Sequence, residues 1–176
     1  MSLFDIFKKN SLSDVNAQDD DIVAIADGEI IDVNQVSDPV FSSQMMGKSV
    51  AFRFESSKVT LCSPANGTLS VLYPTGHAFG ITRKDGVEIL VHIGIDTVNA
   101  KGDGFSFENK KQGETVRAGD PIVTVDMKSL SKKYDMPVIL IITNANGKDI
   151  TFRKPGATQR GCSILESAEK NDSKVD

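Results

Sequence analysis

From Ile22 onward the chain is a series of short apolar runs separated by turns: Ile22–Ala26, Val50–Phe54, Thr68–Tyr73, Glu88–Ile95, Pro121–Val125 and Val138–Thr143. β-Branched residues and an alternation of apolar with polar positions dominate these runs, so each predicts a strand. Only Ser37–Met46 and Lys128–Lys133 read as helical, and both are short. Many short strands with glycine-bearing turns predict an all-β fold, an antiparallel sandwich or barrel with short helical turns. Two internal echoes suggest related halves. Ala26-Asp-Gly-Glu-Ile30 is echoed by Ala65-Asn-Gly-Thr-Leu69, and Val116-Arg-Ala-Gly-Asp-Pro-Ile122 by Thr158-Gln-Arg-Gly-Cys-Ser-Ile164.

The ends have a different character. Residues 1–21 read as a flexible N-terminal segment, with a short amphipathic helix over residues 2–9 and a polar linker ending in three aspartates. Leu3, Phe4 and Phe7 fall on one side, followed by Lys8 and Lys9, a pattern that suits weak contact with an anionic membrane surface. The alternative is a tail that docks nowhere, since so short a helix is marginal alone. Residues 22–165 form the folded domain, and the polar residues 166–176 read as a disordered tail.

Composition narrows the class. A net charge of −4 and a pI near 5.2 exclude a nucleic-acid binder, which needs a basic face. No apolar run reaches the length of a membrane span and no signal peptide is evident, which predicts a cytoplasmic protein. Cys62 and Cys162 form no C-x-x-C pair; Cys62 reads as a core residue and Cys162 as an incidental thiol.

The chain has 2 histidines, and their placement is its most informative feature. Asp85-Gly86 between two alternating runs signals a hairpin. A four-residue loop joining Thr82 to Val87, or a two-residue loop at Lys84-Asp85, sets His77 directly opposite His92. A two-residue loop at Asp85-Gly86 makes them diagonal neighbours on one face. Ile89, Val91, Ile93 and Ile95 would then face the core, leaving His92 on the other face with Gly94 and Asp96. Thr75, His77 and Phe79 would share that outer face. Two imidazoles beside a hydroxyl and a carboxylate suit phosphoryl transfer, in which one ring is the nucleophile and the other stabilises charge. They equally suit zinc, with Asp96 as a third ligand.

The motifs resemble a family. His77-Ala-Phe-Gly-Ile81 and Gly86-Val-Glu-Ile-Leu-Val-His-Ile-Gly-Ile-Asp-Thr-Val98 are similar to the two histidine segments of glucose-type IIA components of the bacterial sugar phosphotransferase system. Ser63-Pro-Ala-Asn-Gly67, Lys101-Gly-Asp-Gly-Phe105, Gly113-Glu-Thr-Val-Arg-Ala-Gly119 and Gly28-Glu-Ile-Ile through Asp38-Pro-Val-Phe41 follow the same order. The resemblance spans about residues 22–165.

That resemblance implies a β-sandwich of the duplicated hybrid motif type. It further implies a phosphoryl group carried on His92 as a tele-phosphohistidine, stabilised by His77. Thr75 would orient His77, and Asp96 would help shape the site. The donor would be the histidine phosphocarrier HPr and the acceptor a IIB domain of a sugar permease, with regulatory targets as further partners. No cofactor is implied, although His77 and His92 offer two nitrogen ligands to an opportunistic zinc ion. Passing phosphate between proteins calls for an apolar docking ring, for which Val40, Phe41, Phe79, Leu90 and Val98 are candidates. Met45 and Met46 are further candidates, with a core position as the alternative.

Some positions depart from the family. Ser43 and Thr82 stand where some relatives have glutamates, and Tyr73 where phenylalanine is commoner. Two other functions compete. Asp126-Met-Lys128 resembles the modified turn of biotinyl or lipoyl carriers, one residue short. A zinc hydrolase on a related sandwich would use His77, His92 and Asp96, but no H-E-x-x-H helix accompanies them.

Overall fold

The structure, a computed structural model, describes residues 12–167. The expected helix at residues 2–9 lies outside the described residues, as does most of the C-terminal tail. The strands, in chain order, are β1 (Gly28–Ile31), β2 (Lys48–Arg53), β3 (Lys58–Cys62), β4 (Gly67–Leu72), β5 (Ala78–Thr82), β6 (Glu88–Ile93), β7 (Phe105–Phe107), β8 (Thr115–Val116), β9 (Pro121–Asp126), β10 (Val138–Asn144) and β11 (Gly156–Thr158). Eight form one antiparallel sheet in the order β11-β1-β2-β10-β6-β5-β4-β8, and three form a second in the order β3-β9-β7. The larger sheet does not close on itself, so the fold is a sandwich and not a barrel.

Alternation places the core between the sheets. Ile89, Val91 and Ile93 of β6, Phe79 and Ile81 of β5, and Val138, Leu140 and Ile142 of β10 meet Val59 and Leu61 of β3 and Val123 and Val125 of β9. Each leaves water almost completely, and such burial contributes roughly 1.5–3 kcal/mol per large side chain. β10 is apolar on both faces because both are covered. Its Ile139 and Ile141 enter a second cluster with Ile31, Val33, Val36, Phe41 and Ala51.

The cover over that outer face carries helix α1 (Pro39–Ser42). The Asp38 carboxylate accepts a hydrogen bond from Val40 N at 2.8 Å, and Pro39 occupies the first turn, where its missing N–H costs nothing. The helix is shorter than the expected span of Ser37–Met46. Met45 is therefore 77% exposed and Met46 also reaches solvent, and neither is a core residue. Helix α2 (Met127–Leu130) likewise occupies part of its expected range, capped by Asp126 on Ser129 N at 3.0 Å.

Ile22–Ala26 is buried but is not a ladder strand; its one bridge joins Val23 to Ser163. Its backbone instead bonds to the corners built by the two sequence echoes. Ala118 N donates to Asn66 Oδ1 and Arg160 N to Asp27 Oδ1, each at 2.8 Å. Gly119 N donates to Ser63 O at 2.8 Å and Gly161 N to Ala24 O at 3.0 Å. The two corners thus share one bonding pattern.

Residues 12–21, expected as linker, instead lie along the body. Val15 packs against Gly119 and Gly161, where a Cβ on either glycine would come within 2.6 Å of its Cγ2. Arg160 donates to Ser13 O, Asn66 to Ala17 O, and Arg83 to Asp20 O. Composition could not reveal this, because the body supplies the donors to a polar strand of main chain.

Candidate active site

The β5–β6 hairpin takes a register that none of the expected loops gives. Arg83 N donates to Val87 O at 2.9 Å and Gly86 N to Arg83 O at 3.0 Å, closing a three-residue loop at Lys84–Gly86. Gly86 has φ +87°, the left-handed geometry such loops use and glycine adopts without penalty. The odd loop length reverses the expected parity. His92 pairs with Ala78, and Phe79 pairs with Val91. Phe79 consequently belongs to the core, 0% exposed, which corrects its assignment to the outer face and to partner docking.

His77 reaches His92 by another route, the turn at the opposite end of β5. Tyr73 N donates to Ala78 O at 3.1 Å, and Gly76 N donates to Tyr73 O at 2.8 Å. Pro74 suits the second position of that turn and Gly76 takes φ +76° at its end. A Cβ on Gly76 would lie 2.8 Å from Phe105 Cβ, so the backbone approaches too closely for a side chain. His77 follows outside the regular ladder, with its carbonyl accepting from Ile93 N at 2.8 Å. Released from strict alternation, its ring meets that of His92 at 5.6 Å between centroids and 80° between planes.

Each imidazole is held by a neighbour. Thr75 Oγ1 and His77 Nδ1 lie 2.5 Å apart, leaving Nε2 of His77 as its free ring nitrogen. The Phe41 ring packs on His92 at 4.8 Å and the Tyr73 ring on His77 at 5.1 Å. His92 Nδ1 is buried with no hydrogen bond of ordinary geometry, so chemistry from solvent is directed to Nε2. Burial lowers the proton affinity of both rings. For His92 the neighbouring His77 lowers it further, while the Gly94 carbonyl, Asp38 and Asp96 oppose the shift. The net direction favours neutral, nucleophilic imidazoles.

The strand ends just past His92 and a tight turn follows. Gly94 has φ +71°, and a Cβ there would sit 2.5 Å from Thr97 Cγ2 and 2.8 Å from Met136 Sδ. Buried Thr97 donates its hydroxyl to Ile93 O, tying the turn together. Ile95 leaves the core pattern for this reason and packs on the outer cluster instead. Asp96, left-handed at φ 59° and exposed, stands close enough to act electrostatically on His92 but makes no cap bond of its own.

Of the expected docking residues, Val40 and Val98 are exposed at 44% and 50%. Phe41 is buried against His92, and Leu90 is partly buried on the outer cluster. Asp38 and Tyr73 are site residues to which the sequence motifs assigned no role in the site. Their signals are modest: a capping aspartate before Pro39, and an aromatic residue opening a Pro-Thr-Gly turn.

Among the described residues no group of three or more His, Cys, Asp and Glu is arranged to hold a metal ion, so Asp96 does not complete a zinc triad. Lys128 is an exposed residue of α2 instead of a hairpin tip, which removes the likeness to a carrier turn. No helix of the described residues is long and apolar enough to cross a membrane.

Comparison with known proteins is consistent across sequence and structure. A family profile described as the phosphoenolpyruvate-dependent sugar phosphotransferase system, EIIA 1, matches residues 20–148. A glucose-specific EIIA component of Mycoplasma capricolum is 44% identical over 144 residues, covering 80% of this chain and 90% of that protein. One from Haemophilus influenzae is 33% identical over 172 residues, covering 97% and 100%. Against a glucose-specific EIICBA component of Streptococcus pneumoniae, the match covers 78% of this chain but 19% of that longer protein. The solved glucose permease IIA from Mycoplasma capricolum superposes with TM-score 0.75 at 40% identity, covering 82% of this chain and 93% of that one. Agreement over nearly the whole body in both sequence and fold identifies the chain as a member of the EIIA 1 family of the phosphoenolpyruvate-dependent sugar phosphotransferase system.

Proposed function

We propose that His92 is the residue on which this phosphocarrier holds its phosphoryl group, through Nε2. The burial of Nδ1 is the observation that carries this reading, because it leaves one ring nitrogen open to a partner. With the proton on Nδ1, the Nε2 lone pair attacks phosphorus of the donor phosphohistidine on HPr. The new N–P bond forms as the donor's N–P bond breaks; the donor ring, protonated on its other nitrogen, leaves as neutral imidazole, and phosphorylated His92 keeps the proton on Nδ1. Transfer to a IIB domain repeats the exchange in the other direction. Both steps depend on alignment and on donors facing the phosphoryl oxygens.

His77 supplies such a donor. Its Nδ1 is engaged by Thr75, so Nε2 faces the site, and a proton there can bond a phosphoryl oxygen on His92. Thr75 sets the ring angle. Asp38 and Asp96 raise the proton affinity of His92 and so strengthen it as a nucleophile. Val40 and Val98, with Met45 and Met46, form the apolar docking rim; Phe41 and Leu90 lie beneath it as its floor.

The compartment in which HPr and the IIB domains meet is the cytoplasm, and the chain is assigned there. The histidine pair also offers two nitrogens to a zinc ion, a side property tested by titrating the apo-protein with zinc and with His77→Ala. The principal test is phosphorylation with phosphoenolpyruvate, enzyme I and HPr, followed by peptide mapping. Label on the His92 peptide supports the reading; label elsewhere removes it.

A further inference from the structure

The two histidines are the middle members of a row of four rings. Phe41 packs on His92 at 4.8 Å, His92 meets His77 at 5.6 Å, and Tyr73 packs on His77 at 5.1 Å. Phe41 is buried, held by the outer cluster. Tyr73 is 44% exposed and closes the row from the solvent side. Its backbone opens the turn that ends at His77: Tyr73 O accepts from Gly76 N at 2.8 Å, and Tyr73 N donates to Ala78 O at 3.1 Å. One five-residue turn therefore supplies His77, the hydroxyl on its Nδ1 and the aromatic ring packed against it.

We infer that Tyr73 is a positioning residue for His77, its ring fixing the imidazole plane and shielding it from water so that Nε2 stays aimed at the group on His92. The Thr75 hydroxyl anchors the Nδ1 edge of the ring by one hydrogen bond, and the rest of the ring is held by what packs against it. An aromatic ring with its centroid 5.1 Å away, tilted by 56°, restrains the plane. The inference deepens the proposed role of His77 and rests on it. It assigns Tyr73 no contact with the phosphoryl group.

Shielding has a consequence in the isolated protein. Burial is what lowers the proton affinity of His77. Removing an exposed cover lets water reach the imidazole and stabilises its charged form, so its titration midpoint rises toward the ordinary histidine value near 6.5. The groups facing His77 are the His92 ring from β6, the Thr75 hydroxyl from its own turn and Tyr73 itself. The carboxylates Asp38 and Asp96 act on His92.

The test compares wild type, Tyr73→Phe and Tyr73→Ser by NMR titration of both histidines, which also reports whether each variant is folded. Onward transfer from phosphorylated protein to a IIB domain is measured in parallel. Tyr73→Phe should leave both readouts unchanged. Tyr73→Ser should raise the His77 midpoint and slow onward transfer on the order of tenfold, the scale of a misaligned group. An unchanged His77 midpoint in a folded Tyr73→Ser protein overturns the inference. A transfer defect of that variant with an unchanged midpoint marks Tyr73 as a docking residue only and overturns it equally. If His77→Ala itself transfers at the wild-type rate, the role proposed for His77 is what fails, a result read independently of the titration.

Discussion

Thr75 Oγ1 stands 2.5 Å from His77 Nδ1, two residues away across a turn that Gly76 makes possible. The bond leaves Nε2 of His77 as the atom that can serve a phosphoryl group. Thr75→Val keeps the shape and removes the hydroxyl. It should slow onward transfer by about 10- to 100-fold while leaving phosphorylation of His92 close to normal, and Thr75→Ser should restore most of the rate. Rapid-quench measurement of the two half-reactions checks this.

Phe79 and Val98 should separate stability from docking. Phe79 is a core residue, so Phe79→Ala should cost about 3–5 kcal/mol of stability in urea unfolding. Val98→Ser lies on an exposed surface and should change stability by less than about 0.5 kcal/mol. Its effect should appear as a raised KM for HPr with kcat little changed. The opposite pattern, a stable Phe79→Ala protein with poor docking, would contradict the register of the hairpin.

Both histidines bind protons less well in the folded chain than in an unfolded one. Below about pH 6.5 the unfolded chain therefore holds more protons at these sites, and stability rises with pH. The contribution is present in full above the unfolded value and is lost as pH falls through the lowered folded values. Urea midpoints should decline on acidification from pH 7 toward pH 5 by more in wild type than in a His77→Gln/His92→Gln protein. Equal slopes would show that the pair is not shielded.

The segment before the domain should contribute to stability. Val15 fills the space above Gly119 and Gly161, and Arg160, Asn66 and Arg83 hold the neighbouring carbonyls. Val15→Asp should lower stability by about 1–3 kcal/mol, measured by thermal or urea unfolding. A linker without attachment would tolerate the change.

The strands were legible because alternation in β6 and β10 marks which residues enter the core, and the histidine motif was legible from residue identity. The contact between the histidines was expected, but by the wrong geometric route. Hairpin parity depends on loop length, and the left-handed Gly86 selects a three-residue loop that moves Phe79 inward. His77 joins His92 through the Tyr73–His77 turn, a non-repeating stretch that periodicity does not describe. Ile95 was misplaced because Gly94 ends the alternation one residue earlier. The docking of residues 12–21 was illegible for a different reason: the segment's own backbone carbonyls are met by side chains far away in sequence.

The central claim is a division of labour between two histidines. The most direct measurement follows one phosphoryl group from phosphoenolpyruvate through enzyme I and HPr onto this protein, and then onto a IIB domain, for wild type, His92→Ala and His77→Ala. His92→Ala should take no label. His77→Ala should take label at close to the wild-type rate but lose at least about 100-fold in onward transfer. Unimpaired labelling of His92→Ala, or wild-type onward transfer by His77→Ala, would contradict the account.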